Sequence, residues 1–433
     1  MTDAVVLAHG LGGSTDLPIP YTYALIGAAW ALTLTFAVVA LAWRKPRFDP
    51  AKPGSALPGW VTRVVDAPLT RGAAAVLALL FAAWVVVVAL VGPQDDDNAL
   101  PGVFYVLLWV GLVAVSVLVG PVWRLVSPLR TVWRALPGRL SAGARVYPEG
   151  WGYLPAAVGL FAFVWLELVS PNPGSLTAIK VWLLAYSVLM LAGAAMWGRR
   201  WFARADPFEV YSMVASRLAP FRRRADHHIV IGNPFDHLPT LPVRRGTVTV
   251  LAVLLGSTAF DSFSAMPGWR GFVDDLSSNQ LVATVIRTLG LVGFIAVVGS
   301  SFWLAARATG GVDAARRRLL PGQLAHSLIP IVIGYVFAHY LSYLVERGQQ
   351  ALIRLGQPLG WDWEVSYLLS QHPSVLATIK VACVVFGHMA GVVAAHDAAL
   401  RLLPKRHQLT GQLAMMLVMV FYTFTGLYLL FGG

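Results

Sequence analysis

The chain has 433 residues, of which 57% are hydrophobic and only 12% charged. A soluble domain carries about twice that charged fraction, so a water-soluble globule is excluded. The net charge of +12 does not mark a nucleic-acid surface, because the basic residues lie between apolar segments, and the single Cys383 allows neither an intramolecular disulfide nor a cysteine-based zinc site.

In chain order, residues 1–20 hold no Lys or Arg and lack the basic start and apolar core of a cleavable signal peptide. Ten apolar segments follow, each long enough to span a bilayer: 21–43, 72–92, 101–122, 152–170, 176–197, 246–265, 281–306, 322–345, 374–400 and 409–431. The connections alternate in charge. Segments 44–71, 123–151, 198–245, 307–321 and 401–408 are basic. Residues 93–100 and 266–280 are acidic, 171–175 carry no charge, and 346–373 are mixed. Basic loops stay in the cytoplasm, so the pattern predicts a polytopic membrane protein with both termini outside. The expected fold is all-α: one polytopic membrane domain of ten helices.

Two basic stretches read as amphipathic helices lying flat on the inner leaflet. Ser127-Pro128 opens one, with Trp133 and Leu136 opposite Arg130 and Arg134. Asp206-Pro207 opens the other, with Glu209 completing a D-x-x-E capping box.

The sequence also repeats. Residues 71–80 (RGAAAVLALL) match 245–254 (RGTVTVLAVL) at six positions, and Gly111-Leu112-Val113 matches Gly290-Leu291-Val292. Pro155 and Gly159 match Pro330 and Gly334, and Ile179-Lys180-Val181 matches Ile379-Lys380-Val381. A four-helix unit over 71–200 is thus expected to recur over 245–403, flanked by segments one and ten. Four is even, so the copies share one orientation. Parallel duplications of this kind occur in transporters that bind substrate between repeats.

Charges within the segments carry the functional expectation, since each costs about 2.5–3.5 kcal/mol in hydrocarbon. Glu167, Lys180, Asp261, Arg287, His339 and Lys380 all fall in the outer half. Glu167–Lys180 and Asp261–Arg287 are readable as plain ion pairs between neighbouring helices. As a set, the six imply a polar chamber open to the outside, with Tyr335, Tyr343 and Ser342 of segment eight and Ser257, Thr258, Ser262 and Ser264 of segment six as lining. Asp261 and His339 are the candidate catalytic pair. Glu167, Lys180, Arg287, Tyr343 and Lys380 are the candidate substrate-binding set. His326 and His388 fall at similar depth on adjacent antiparallel segments and are candidate ligands for a metal ion or haem iron, with His396 eight residues on.

The N-terminal His9-Gly10-Leu11-Gly12-Gly13-Ser14 run has the look of a hydrolase oxyanion loop, but no G-x-S-x-G follows it. Together with Asp16-Leu17-Pro18, Gly256-Ser257, Phe260-Asp261-Ser262-Phe263-Ser264 and the string His326, Pro330, Tyr335, His339-Tyr340, Gly348-Gln349, that run resembles a family of bacterial multi-spanning membrane proteins labelled fenitrothion hydrolase-like. The resemblance implies hydrolysis of an organophosphate ester. Asp261 and His339 then become the acid/base or metal-ligand candidates on chemical grounds. Three classes therefore stand: a permease or solute-binding protein taking a small molecule or ion, a membrane-embedded hydrolase, and a haem- or metal-binding redox subunit. The bilayer is the one sure partner.

Overall fold

The computed structural model describes residues 17–136, 145–277 and 279–431. The His9–Ser14 run and Asp16 lie outside them. Among the described residues, nine helices are long and apolar enough to cross a membrane: α1 (Tyr21–Ala42), α2 (Pro68–Val91), α3 (Leu100–Val119), α5 (Leu176–Trp197), α8 (Thr247–Ser264), α9 (Gln280–Arg307), α10 (Ala314–Leu359), α11 (Pro373–Leu402) and α12 (Thr410–Phe431). The tenth expected segment is the shorter apolar helix α4, Leu154–Leu168. At 1.5 Å per residue it spans about 22 Å, less than the roughly 30 Å hydrocarbon core. Its first half is held by protein: Tyr153 N–H donates to Arg245 O, and Gly159 packs on Pro207.

The chain is an all-α polytopic membrane protein. The helix ends divide into an arginine-rich end and an opposite end holding residues 92–99, 169–175 and 360–372. A small three-stranded sheet decorates the arginine-rich end: β1 (Ser55–Ala56), β2 (Phe221–Arg223) and β3 (Ile229–Ile231), in the order β1-β3-β2 and antiparallel throughout.

Close helix approach is set by glycine. A Cβ on Gly334 would meet Cys383 O at 2.5 Å, and one on Gly387 would meet Pro330 O at 2.7 Å. These two glycines let α10 and α11 run nearly backbone to backbone, as small residues do in membrane bundles. Gly256 does the same for α8 against α9, where a Cβ would lie 2.7 Å from Ile295 Cα. Two helices change pitch: Val103–Gly111 of α3 and Tyr343–Arg347 of α10 are π-helical, and these two stretches touch. Such turns concentrate at functional sites.

One expectation is overturned. The stretch opened by Asp206 does not lie on a leaflet. After α5 the chain reverses at Gly198 (φ +62°) and climbs back along it as α6 (Arg199–Ala205), with Trp201 seated on Gly193. The buried Asp206 then caps α7 (Pro207–Ala215), accepting from Phe208 N–H and Glu209 N–H, and from Trp123 Nε1–H and the Tyr186 hydroxyl as well. Every residue of α7 is buried. Tyr211 packs on Trp109 at 4.7 Å, and Ser212 Oγ meets Ser116 Oγ at 2.8 Å. Tyr186 lies near the middle of α5, so α6 and α7 form a hairpin that re-enters the bundle. Such backbone is tolerated at membrane depth only inside protein. Glu209 does not close a capping box either. Its carboxylate takes Arg130 Nη2 at 2.5 Å and Arg124 Nε at 3.2 Å. Arg130, expected on a solvated face, is buried with Trp133 in the short helix Pro128–Ala135.

Candidate functional site

The site grows from two parallel helices, α8 and α10. On α10, Tyr335 and His339 are four residues apart and share a face, with Tyr340 beside them. On α8, Asp261 and Ser262 meet that face. His339 Nε2 lies 2.9 Å from Asp261 Oδ2, and the Tyr340 hydroxyl donates to the same oxygen at 2.6 Å. His339 Nδ1 lies 3.1 Å from Ser262 Oγ, which in turn lies 3.0 Å from the Tyr335 hydroxyl. Tyr335 also reaches Gly426 O on α12 at 3.3 Å. A neutral His339 that donates Nε2–H to Asp261 can accept from the Ser262 hydroxyl at Nδ1; Tyr335, with one hydrogen, then donates to Ser262 Oγ or to Gly426 O, not to both.

Three further groups close around this core. Glu167 of α4 is buried within electrostatic reach of Asp261, and of the tyrosines Tyr105, Tyr211, Tyr340 and Tyr343. Tyr343 opens the π-helical turn one residue beyond Ser342. Lys380 is only 1% exposed. The contacts of Gly334 and Gly387 fix the register of α10 on α11, and that register sets Lys380 level with Ala338 and His339. Glu167, Asp261, His339 and Lys380 are each at most 5% exposed. Glu167, Asp261 and His339 form a buried group, with Lys380 at the same level, rather than lining a chamber open to the outside.

The other expected members stand apart. Lys180 is half-buried and gives its ammonium to Gln94 Oε1 at 2.7 Å, so the Glu167–Lys180 pair is not formed. Arg287 is half-buried on α9. Asp261 bonds instead to His339 and Tyr340. Ser257 and Thr258 turn their hydroxyls onto Leu254 O, and Ser264 onto Asp261 O, as helical hydroxyls commonly do.

His326 and His388 are both buried, and each ties Nδ1 to its own chain, at Gln323 O (2.9 Å) and Val384 O (2.8 Å). His388 follows Gly387, which abuts Pro330, so His326 lies four residues, about 6 Å, nearer the arginine-rich end. His396 bonds elsewhere, to Gln412 Oε1 and Trp43 O. Among the described residues, no group of three or more His, Cys, Asp or Glu is placed to hold a metal ion.

Sequence reasoning missed Tyr340 as a partner of Asp261. Its position next to His339 was the available signal. It also missed Glu346, which is buried and accepts from the Ser370 backbone N–H at 2.8 Å and from the Ser370 hydroxyl.

No family model, curated protein or solved structure matches this chain.

Proposed function

We propose that the protein is a proton-handling solute permease of the bacterial inner membrane, with the Asp261–His339–Tyr340 centre as its proton-binding element. One observation carries the reading. Asp261, on a helix long enough to cross hydrocarbon, bonds to the His339 imidazole, and the buried Glu167 carboxyl of the shorter α4 lies within its electrostatic reach. Charges so placed repel and are desolvated, so proton occupancy responds to whatever else enters the centre. The duplicated sequence blocks add support. Glu167 belongs to the first and Asp261, His339 and Lys380 to the second, which sets the centre between the copies, where repeat transporters bind. The alternating arginines orient the chain with this centre nearer the outer face.

The test is proton flux into proteoliposomes carrying an internal pH dye, driven by a potassium-diffusion potential. Wild type should exceed empty vesicles, and Asp261→Asn should lose at least tenfold of that excess. Wild-type flux equal to that of empty vesicles, or unaltered flux in Asp261→Asn, defeats the reading.

A second reading has its own observation. Ser262, His339 and Asp261 form a continuous hydroxyl–imidazole–carboxylate chain, the arrangement that activates a serine nucleophile. It supports the hydrolase class that the resemblance implies. Against it, Ser262 is only 4% exposed and is flanked by the Tyr335 hydroxyl. Covalent labelling of Ser262 by a fluorophosphonate, abolished in Ser262→Ala, would establish it.

A further inference from the structure

On the α9 side of the closed centre, α8, α9 and α12 splay apart and leave a crevice of about 460 Å³. All its walls lie on membrane-spanning helices, and Val297 and Phe421 at its rim are exposed on the lipid-facing surface. The lining is apolar and aromatic, with Phe294, Phe421 and Tyr422 among its walls. Gly293 provides the opening: a Cβ there would meet nothing within 4 Å.

Four polar side chains interrupt this lining. The Tyr335 hydroxyl is already bonded to Ser262 and Gly426 O, and the Tyr422 hydroxyl to Ser301 and Val298 O. The others are the half-buried Thr425 and His388, 1% exposed. Val384 O only accepts, so His388 Nδ1 carries the hydrogen of their 2.8 Å bond. Nε2 is then a bare lone pair at the far tip of the ring, and it has no hydrogen-bond partner. A buried acceptor left unmatched in an apolar site costs free energy, and a donor from a ligand recovers it. The crevice thus combines an apolar slot with one unanswered acceptor, the usual composition of a small-molecule site.

We propose that this crevice binds a lipid-soluble phenol: an aromatic ring between Phe294 and Phe421, a hydroxyl donating to His388 Nε2, and an alkyl or prenyl tail leaving past Val297 into the bilayer. The hydroxyl is required because His388 offers an acceptor. The aromatic ring is favoured because Phe294, Phe421 and Tyr422 offer ring faces and edges for offset or edge contacts. Entry is lateral, from lipid.

The test uses the full chain in nanodiscs and three probes of similar length: 4-nonylphenol, nonylbenzene and 1-dodecanol, with occupancy read by equilibrium dialysis against empty nanodiscs. The phenol should bind saturably at one site per chain and at least tenfold more tightly than either other probe. His388→Phe should weaken the phenol about tenfold and leave nonylbenzene unchanged. Gly293→Leu, whose side chain enters the open slot, should abolish binding of all three. Equal affinity for phenol and nonylbenzene overturns the hydrogen bond to His388 without recourse to any variant. Dodecanol binding as tightly as the phenol overturns the aromatic assignment in favour of a lipid alcohol. Phenol binding that survives Gly293→Leu overturns the location. None of these outcomes depends on proton flux through Asp261.

Discussion

His339 Nε2 stands 2.9 Å from Asp261 Oδ2, and the oxygen they share is also taken by the Tyr340 hydroxyl at 2.6 Å. A carboxylate inside hydrocarbon is thereby held by two donors from one helix. Removing either donor leaves the other bond in place but the charge under-solvated. Tyr340→Phe should therefore cost about 1.5–3 kcal/mol, the range for a hydrogen bond to a charged group. The measurement is the thermal midpoint in detergent. A midpoint equal to wild type would show that Asp261 does not depend on this hydroxyl.

The two arginines on Glu209 should behave unequally. Arg130 and Glu209 are both buried, with side-chain exposures of 6% and 4%, whereas Arg124 is 55% exposed. Arg130→Ala strands a buried carboxylate and should cost about 3–5 kcal/mol. Arg124→Ala should cost under about 1 kcal/mol. Denaturant midpoints that rank these two the other way would contradict the assignment of Arg130 as the principal partner.

Helix contact through glycine gives a steric prediction. Gly334→Ala drives a methyl into Cys383 O and should destabilise by about 1–3 kcal/mol, as overpacking does. Gly27→Ala on α1, where a Cβ meets nothing within 4 Å, should be neutral or slightly favourable. Comparable losses for both in a detergent melt would mean that α10 and α11 are less tightly apposed than described.

At the arginine-rich end, His237 Nε2 lies 3.0 Å from Arg217 Nη1, and burial together with the Arg217 and Arg222 charges pushes its pKa down to about 4. The imidazole is neutral in the folded protein and protonates more readily when unfolded, near 6.5. Between those values the unfolded state binds more protons, so stability is full above pH 6.5 and falls as pH drops toward 4. His237→Gln should flatten that slope in a pH series of melting midpoints. A slope unchanged by the substitution would place its origin elsewhere.

The proposed orientation is open to chemistry. In a Cys383→Ala background, Asp96→Cys should react with an impermeant maleimide added outside spheroplasts, and Arg224→Cys should react only after lysis. The reverse labelling would invert the topology read from the arginines.

Most of the bundle was legible in the sequence because bilayer crossing imposes length and hydropathy, which are one-dimensional properties. The burial of Glu167, Asp261, His339 and Lys380 was legible for a similar reason: the cost of burying charge makes such residues conspicuous. What escaped was decided by helix rotation. Lys180 turns to Gln94 and not to Glu167, and Arg287 leaves Asp261 to His339, because segment depth says nothing about facing direction. The α6–α7 hairpin escaped for another reason. Arg199, Arg200 and Arg204 give its sequence the composition of a loop, and only the partners of Asp206 and Glu209 reveal that α7 is enclosed.

That hairpin has a consequence for biogenesis. Trp109, Phe163 and Gly159 all face α7 or its neighbours, and Phe208 lies against both Phe163 and Trp182. A nascent chain released after residue 197 would carry five inserted helices surrounding an unplugged seam. The keystone comes only with the next eighteen residues, which carry Arg199, Arg200, Arg204, Asp206 and Glu209 and enter the seam from the arginine-rich end.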